Sequence, residues 1–335
     1  MEVINCRNVN DGFIKALDKI EMEHIVLESR AGEVMEFPTP VTTVYKNPTE
    51  RVLFEELRDA NPFFHFMESL WMLAGRNDLA YVEQYNKRMR EYSDDGVELH
   101  GAYGYRWIKH FDFDQVSSII KRLKADPNDR RSVLQMWDPR VDLNRKNAKD
   151  VPCNTAIYFK VRNGQLNMTV SNRSNDVIWG TFGANVVHMS ILQEYVARAL
   201  GVRVGTYNQV SDSFHVYTEI FIKMWKKLAE DDAFDFYAMR HYTNPYENKA
   251  LSPYRLMNVE KEVWDKDLDK FLKREPLGNK KFNDSFFTKV ACPLQDAWFL
   301  YKQKDYEFAL SEVQGCASGD WATAGFEWIN RRVKS

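Results

Sequence analysis

The segment Val151-Pro152-Cys153-Asn154 places a thiol between a charged loop, residues 145–150, and a predicted strand. A deprotonated thiol is a strong nucleophile, and neighbouring basic side chains lower the pKa of a thiol. The loop contains one arginine and two lysines, so we expect a lowered pKa at Cys153. A free cysteine is more often a small buried apolar residue. The interpretation of Cys153 as a nucleophile therefore depends on the residues that accompany it.

Glu68 lies in the middle of a predicted helix that is apolar nearly all round. Asn61 suits the N-cap of this helix, Pro62 its first turn and Gly75 its C-terminal stop. A helix of this kind is buried, and burial raises the pKa of a carboxylate towards the range useful for proton transfer. A structural ion pair, or a carboxylate that reaches the surface, is the alternative interpretation of Glu68.

Four arginines lie in short polar motifs at the ends of loops or strands rather than on helix faces. Guanidinium groups bind phosphate in a planar, bidentate manner, although solvated surface arginines are the alternative. Neither of the glycine-rich phosphate-binding patterns occurs in the sequence. The four residues are Arg30, Arg130, Arg131 and Arg173.

The sequence predicts no metal site. The four cysteines, at positions 6, 153, 292 and 316, show no C-x-x-C spacing, and the histidines lack metal-ligand spacing. The scattered cysteines also argue against a disulfide framework and for a reducing compartment. Among the histidines, His215 stands apart because it lies in a polar context between a predicted strand and a predicted helix. On spacing alone, a buried core residue is the commoner interpretation of His215.

The overall composition is that of a soluble enzyme. The chain has 335 residues and a formal net charge of −2, so its overall charge does not indicate a basic surface for binding duplex nucleic acid. No apolar run approaches the roughly 20 residues that cross a bilayer, and the first residues do not resemble a signal peptide. We expect a cytoplasmic protein, or one of the host cytoplasm if it is phage-encoded. We expect it to have no membrane partner and no direct contact with nucleic acid.

The pattern of elements is mixed and has no regular βαβ rhythm, which indicates the α+β class. The pair Asn163-Gly164 predicts a hairpin between strands over 155–161 and 166–171. We expect a catalytic domain over residues 1–245 and, after a loop-like stretch near 241–260, a mostly helical C-terminal extension over 246–335. The other predicted elements are helices over 11–24, 61–75, 115–124, 185–200, 214–228, 264–274, 286–304 and 321–332, strands over 132–137 and 202–209, and a polar loop over 27–32 that leads into an extended stretch ending near residue 44.

Seven short stretches, in this order along the chain, resemble the thymidylate synthase superfamily, which includes thymidylate synthases and pyrimidine nucleotide hydroxymethylases. The resemblance covers about residues 30 to 220 and implies the thymidylate synthase-like fold, a mixed β-sheet covered by helices. The stretches are Ser29-Arg30-Ala31-Gly32, Glu68-Ser69-Leu70-Trp71, Gly101-Ala102-Tyr103-Gly104, Asp129-Arg130-Arg131, Pro152-Cys153, Asn172-Arg173-Ser174-Asn175-Asp176-Val177 and Phe214-His215-Val216-Tyr217.

The resemblance implies that Cys153 adds to C6 of the pyrimidine ring of a deoxynucleoside monophosphate. The activated C5 then attacks the methylene group of the co-substrate 5,10-methylenetetrahydrofolate. Glu68 would organise proton transfers, Tyr103 would assist removal of the C5 proton, and Asp176 would contact the folate pterin. The implied substrate-binding residues are Arg30, Arg173 and Ser174 for the 5′-phosphate, His215 and Tyr217 for the sugar 3′-hydroxyl, Asn185 for the base, and Arg130 and Arg131, which would reach across the interface of a homodimer to the phosphate bound by the other subunit.

Three departures from the thymidylate synthases concern the product. Asn154 replaces the histidine that commonly follows the nucleophile, residues 85–92 lack a tryptophan pair that positions the folate, and residues 331–335 do not form a short apolar tail. Capture of the exocyclic methylene intermediate by hydride gives a methyl group, whereas capture by water gives a hydroxymethyl group. Hydride transfer needs a closely held folate and excluded water. The departures therefore favour a hydroxymethylase. A thymidylate synthase is the alternative, and a non-catalytic nucleotide-binding relative is the second.

The identity of the base depends on the register after Gly180. Direct counting places the residue that reads the base at Ala184. Allowing one inserted residue places it at Asn185, and this register preserves the spacing of the apolar residues that follow. An asparagine amide serves either base edge, so it favours uracil and leaves cytosine open. Ser174 beside Arg173 predicts a deoxyribose substrate by the same resemblance.

Overall fold

A mixed eight-stranded sheet forms the centre of the protein in a computed structural model, which describes residues 1–230, 244–247 and 251–334. The strand order is β1-β4-β8-β7-β6-β5, and the hairpin β2–β3 joins β8 through β3. The strands are β1 (Glu2–Cys6), β2 (Ile25–Ser29), β3 (Gly32–Glu36), β4 (Val41–Tyr45), β5 (Val133–Gln135), β6 (Asn154–Arg162), β7 (Gln165–Asp176) and β8 (Arg203–Tyr217). The mixture of pairings and helices confirms the α+β class.

Helices cover one face of the sheet and the end of the molecule that contains the C-terminal residues. Two short π-helices, Val177–Ala184 and Phe287–Ala291, each lead directly into an α-helix. The α-helices are α1 (Val9–Met22), α2 (Pro62–Leu73), α3 (Leu79–Val82), α4 (Met89–Tyr92), α5 (Tyr103–Ile108), α6 (Gln115–Ala125), α7 (Pro139–Asp142), α8 (Asn185–Leu200), α9 (Thr218–Glu230), α10 (Lys261–Leu272), α11 (Cys292–Lys302), α12 (Tyr306–Gln314) and α13 (Gly319–Lys334).

The structure confirms most of the predicted elements and corrects two of them. The predicted helix over 214–228 is wrong in its first turn, because Phe214 to Tyr217 continue β8 and pair with β7 and β3. The predicted polar loop over 27–32 is largely a hairpin, with β2 paired to β3 and Arg30 at the turn. Several further elements lie in segments for which the sequence predicts none: strand β1, helices α3, α4, α5, α7 and α12, and the first π-helix. Of the loop-like stretch near 241–260, residues 241–243 and 248–250 lie outside the described part of the chain.

Helix α2 is the most deeply buried helix of the molecule, with all twelve of its residues buried. The Asn61 side chain accepts a hydrogen bond from Phe64 N, and Pro62 occupies the first turn, as predicted. Helix α8 packs against one side of α2, and helices of the C-terminal region pack against the other. Because α2 is enclosed in this way, the Glu68 side chain is held in the interior of the protein.

The C-terminal helices share the main hydrophobic core with the rest of the chain. On α2, Phe63 contacts Trp328 with ring centroids 5.8 Å apart, and Phe66 contacts Trp321 at 5.2 Å. Packing of this kind does not locate a domain boundary, and the division at residue 245 stays a prediction. Among the described residues, no helix is long and apolar enough to cross a membrane.

The sheet is covered on one face only. Along β6, β7 and β8, buried residues alternate with residues that are partly or fully exposed. Cross-strand pairing places Tyr158 beside Val133 and beside Thr169, and these three side chains lie on the open face. An antiparallel or mixed sheet commonly has one face in the core and one towards solvent. Here the open face carries apolar side chains as well, since Tyr158 is 42% and Val133 41% exposed.

Candidate active site

The sheet topology brings most of the candidate residues to one end of strands β6, β7 and β8. Cys153 directly precedes β6, and its carbonyl oxygen accepts a hydrogen bond from Arg173 N on β7. Strands β7 and β8 are parallel, with Ser174 opposite Ser213 and Asp176 opposite His215. Residues far apart in sequence therefore lie side by side at the ends of neighbouring strands.

Cys153 lies partly buried among these residues. Burial raises the pKa of the Cys153 thiol, the guanidinium of Arg173 opposes this rise, and the carboxylates of Asp150 and Asp176 add to it. The expected lowering of the pKa is therefore wrong for the protein without ligand. The reason is burial of the thiol, which outweighs the charge of Arg173. In the basic loop before Cys153, the Arg145 side chain pairs with Asp94.

Tyr103 stands beside Cys153 at the start of α5. Its pKa lies well above the ordinary value because the phenol is buried and close to the Cys153 thiol, although hydrogen bonds with Asn154 and with the Cys153 backbone oppose the rise. Gly104 allows α5 to approach α2, since a Cβ at this position would lie only 1.9 Å from the carbonyl oxygen of Met72. The close approach of the two helices brings a neutral phenol and the Glu68 helix to the same site.

Glu68 is buried and faces α8. Its Oε2 atom lies 2.8 Å from Nε2 of His188, which is also buried. Asn185 lies three residues before His188, so both side chains share one face of α8. The two atoms are near enough for the ion pair considered as an alternative for Glu68, but they make no hydrogen bond, and an ion pair requires a protonated His188. The contact is directed at helix α8, which carries the predicted base-reading residue.

Two of the four arginines lie against the loop that precedes Cys153. Arg173 donates from Nε to the Pro152 carbonyl at 2.9 Å and lies 5.5 Å from the ring centroid of Trp137. Arg30, at the β2–β3 turn, donates to the Ala148 carbonyl at 2.6 Å. Both side chains are held against the loop that precedes Cys153, and both residues are exposed. They therefore form a cationic rim beside the thiol, with Ser174 next to Arg173.

The predicted sugar-binding pair lies on β8. His215 Nδ1 is 3.0 Å from Ser213 Oγ, which donates a hydrogen bond to Glu36 on β3. The ring of Tyr217 meets that of His215 edge to face, with centroids 6.0 Å apart. A hydroxyl that donates to Glu36 must accept from His215, so Nδ1 carries the ring proton and Nε2 is an acceptor when the ring is neutral.

Asp176 ends β7 and caps the first π-helix by accepting a hydrogen bond from Trp179 N. Burial raises the pKa of this carboxyl. Its Oδ2 atom is buried and has no hydrogen-bond partner within the described residues. Beside it, the Trp179 ring is 43% exposed and lies 4.3 Å from the guanidinium carbon of Arg58. An unpaired buried oxygen next to an exposed indole fits a polar aromatic ring such as a pterin.

Asn185 belongs to a chain of side-chain amides under the site. Its Nδ2 donates to Asn175 Oδ1 at 3.0 Å, and Asn154 Nδ2 lies 3.5 Å from Asn185 Oδ1. Asn175 in turn donates to Ser211 Oγ at 3.0 Å. The inserted register expected from the sequence therefore places an oriented amide next to the residue that follows Cys153.

Arg130 and Arg131 are not part of this cluster. Ser132 pairs with Phe159, six residues along β6 from Cys153, which corresponds to about 20 Å at the usual rise per residue. Both arginines are exposed, and Arg131 pairs with Asp129. They cannot reach the thiol of their own chain, as expected if they serve another subunit.

Several residues of the site were not singled out from the sequence. His188, Trp137 and the Arg58–Trp179 pair occur in no recognisable motif. Of these, only His188 could have been identified from the sequence, since its spacing from Asn185 places both residues on one helix face. The described residues include no group of three or more histidine, cysteine or acidic side chains arranged to hold a metal.

Comparison with known proteins gives one family match and several relatives. The thymidylate synthase family model matches residues 58–260. A deoxyuridylate hydroxymethyltransferase of Pseudomonas phage M6 is 48% identical over 338 residues, which cover 99% of this chain and 95% of that protein. One of Bacillus phage SP01 is 40% identical over 65% of this chain and 59% of that protein. A putative thymidylate synthase of Methanothermobacter marburgensis is 30% identical over 68% of this chain and 98% of that protein.

Proposed function

Because this chain belongs to the thymidylate synthase family, we propose that it 5-hydroxymethylates dUMP with 5,10-methylenetetrahydrofolate as co-substrate. The observation that carries the choice of product is the 48% identity, over nearly the whole of both chains, to a protein named deoxyuridylate hydroxymethyltransferase. The 30% identity to a putative thymidylate synthase makes reductive methylation of dUMP the alternative.

The proposed chemistry assigns a step to each group around the thiol. Cys153 adds to C6 of the base, and its raised pKa means that the thiol must lose its proton as the nucleotide binds. Tyr103 assists removal of the C5 proton, and Glu68, beside His188, organises proton transfers at the ring. The co-substrate supplies the methylene carbon, and Asp176 would hold its pterin through the unpaired Oδ2.

The proposed nucleotide site follows the sheet end. Arg30, Arg173 and Ser174 would bind the 5′-phosphate, because two guanidinium groups form a rim beside Cys153. His215 and Tyr217 would bind the 3′-hydroxyl. The amide of Asn185 offers a donor and an acceptor, which complement O4 and N3–H of uracil.

Incubation of the protein with dUMP and methylenetetrahydrofolate is expected to yield a nucleotide that has gained the elements of CH2O. Mass analysis of the product is the measurement, and a parallel incubation with dCMP tests the base. A product that has gained only CH2, with dihydrofolate formed in equal amount as an absorbance rise, would establish the thymidylate synthase alternative instead.

We further propose that two chains form a homodimer through the open face of the sheet. The support is the apolar, uncovered surface around Tyr158 and Val133, together with the position of Arg130 and Arg131 at the sheet edge, remote from their own thiol. In a twofold dimer each pair of arginines would complete the phosphate site of the other subunit.

A mixing experiment tests the shared site. Cys153→Ser and the double variant Arg130→Ala/Arg131→Ala should each be nearly inactive alone. Subunit exchange between them should restore about a quarter of the wild-type activity, because half of the dimers are hybrids and each hybrid has one complete site. No recovery, with hybrid formation verified by mass, would mean that the arginines act within their own chain. A monomer in sedimentation would contradict the dimer itself.

A further inference from the structure

The carboxylate of Asp150 lies in the segment that leads to Cys153 and has no role in the chemistry assigned above. Asp150 stands three residues before Cys153, and its Oδ2 accepts a hydrogen bond from Gly101 N at 2.7 Å. Its Oδ1 makes no hydrogen bond within the described residues, and the residue is only partly buried. One carboxylate oxygen is therefore held by the backbone, while the other is free.

The main chain around Asp150 is fixed from several sides. After it, the carbonyls of Val151 and Pro152 accept hydrogen bonds from the Arg173 guanidinium at 3.1 and 2.9 Å. Before it, Lys149 N donates to Asp94 at 3.0 Å. A side chain on such a segment is preorganised and need not be recruited by ligand binding.

The Asp150 carboxylate is within electrostatic range of the reacting groups. The negative charge of Asp150 is one of the causes that raise the pKa of the Tyr103 phenol, after burial and the Cys153 thiol. It also adds to the burial that raises the pKa of the Cys153 thiol. Its hydrogen bond to Gly101 N, two residues before Tyr103, and its position three residues before Cys153 connect Asp150 to the segments that carry both groups.

The other groups of the site are less suited to accept a proton from water. Cys153 is bonded to C6 once the intermediate has formed, and Tyr103 is a neutral phenol. Glu68 has its Oε2 2.8 Å from His188. Asp176 faces Arg58 and His215 and is the proposed pterin ligand.

We propose that Asp150 is the general base that activates the water captured in the hydroxymethylation step, an inference that rests on the proposed function. The water oxygen forms a bond to the exocyclic methylene carbon, and one water proton passes to the Asp150 carboxylate. The electrons of the exocyclic double bond move to O4 as an enolate. Collapse of the enolate restores the C5–C6 double bond and expels the Cys153 thiolate, which then takes up a proton. No oxidant or reductant is consumed.

The protonation behaviour of Asp150 suits this role. Burial raises the pKa of its carboxyl to about 6, against the lowering effect of the Gly101 hydrogen bond. A base with a pKa near the working pH is the most effective one. Hydroxymethyl formation should therefore fall as the pH drops through about 6.

Several charged or titratable groups surround Asp150 and influence this pH dependence. They are Arg106 and Tyr103 from α5, Asp94 from the preceding loop, and Arg145 and Cys153 from its own segment.

The variant Asp150→Asn removes the base and keeps an acceptor for Gly101 N. Hydroxymethyl formation should fall about 10²-fold or more, the usual contribution of a general base. Release of tritium from C5 of labelled dUMP reports the earlier steps and should fall much less. In the variant, the limb of the pH profile near pH 6 should be absent.

Added thiol provides a second measurement on the same variant. A thiolate needs no base to attack the exocyclic methylene carbon, so a thioether of the nucleotide should form in Asp150→Asn and scarcely in the wild type. Equal losses of tritium release and of hydroxymethyl product, with no thioether, would overturn the proposal, because Asp150 would then act before water capture. An unchanged rate of hydroxymethylation would overturn it as well.

Two further variants separate charge from position. Gly101→Ala keeps the carboxylate, but the new Cβ would lie 2.6 Å from Asp150 Oδ1 and must displace it. The same shift from hydroxymethyl product to thioether is expected. Asp95→Asn is the matched control, since Asp95 also accepts backbone hydrogen bonds, from Val97 and Glu98, in a neighbouring loop. It should leave the product distribution unchanged, and a shift there would overturn the assignment to Asp150.

Thermal unfolding shows whether Asp150→Asn is folded and whether the wild-type charge is buried. The folded pKa lies above the ordinary value of 3.8, so ionisation of Asp150 destabilises the native state as the pH rises through about 6. The variant should unfold at a higher temperature than the wild type at pH ~8, with a smaller difference near pH ~4.

Two outcomes separate this inference from the proposed function. If the wild type yields only a methyl product, the proposed function fails. If the wild type hydroxymethylates dUMP and the Asp150→Asn variant is unaffected, only this inference is refuted.

Discussion

Product formation by Cys153→Ser should fall by at least about 10⁴-fold, within the range found when a covalent nucleophile is removed from other enzymes. A serine hydroxyl at this position keeps the size of the side chain but is almost fully protonated at neutral pH. Without addition to C6, C5 of the pyrimidine is too weak a nucleophile to attack the methylene donor. The measurement is single-turnover product formation under saturating nucleotide and methylenetetrahydrofolate.

The matched control for this prediction is Cys316→Ala, which removes a buried thiol from the segment between α12 and α13. Its activity should stay close to that of the wild type. Nucleotide binding by Cys153→Ser should also be retained, because the phosphate and sugar contacts do not involve the thiol. Full activity in Cys153→Ser would contradict the covalent mechanism and favour a different attack on the base.

The raised pKa of Cys153 adds a pH dependence to the same experiment. A thiol with a raised pKa is mostly protonated at neutral pH, so the rate of covalent addition should increase as the pH rises. Arg173 is the group that lowers this pKa. Arg173→Gln should therefore shift the rise in adduct formation to higher pH, besides weakening phosphate binding. Adduct formation can be followed by mass spectrometry of the intact protein.

Turnover by Glu68→Gln should fall by about 10²- to 10⁴-fold, the contribution of a general acid–base group. Glutamine preserves the size of the side chain within the buried helix α2 but cannot exchange a proton. It also leaves His188, 2.8 Å away in the wild type, without its carboxylate partner. Because the nucleotide contacts lie on other elements, the loss should appear in kcat more than in the dissociation constant of dUMP.

Ser69→Ala on the same helix serves as the control for Glu68→Gln. Ser69 donates only to the His65 carbonyl within the helix, at 2.7 Å, and is also buried. Its replacement tests whether any small change in α2 disturbs the site. If both variants lost activity equally, Glu68 would have a structural role and the assignment of proton transfer would be wrong.

Local sequence was sufficient for the elements that depend on local chemistry. The Asn61–Pro62 start of α2 and the Asn163-Gly164 turn of the β6–β7 hairpin are both present as predicted. Capping and turn formation involve residues within a few positions of each other, so the sequence contains the whole interaction. The same holds for the short motifs that pointed to Cys153 and to the arginines as candidates.

Contacts between distant segments decided the remaining features. Phe214 to Tyr217 form a strand because β7 and β3 pair with them on both sides, and no local signal distinguishes that outcome from a helix. The pKa of Cys153 rises because burial outweighs the charge of Arg173, whereas the basic loop before it, read as a linear pattern, suggested the opposite.

The sequence by itself determined the residue types available for chemistry, the capped helix around Glu68 and the hairpin that follows Cys153. Only the tertiary structure decided which of those residues meet: it brought Glu68 within 2.8 Å of His188, joined Asp150 to Gly101 near Tyr103, and set Arg130 and Arg131 about 20 Å away from Cys153. The physical reason is that burial, electrostatic neighbours and distance are properties of the packed sheet and helices. They arise between segments whose separation along the chain carries no information about their separation in space.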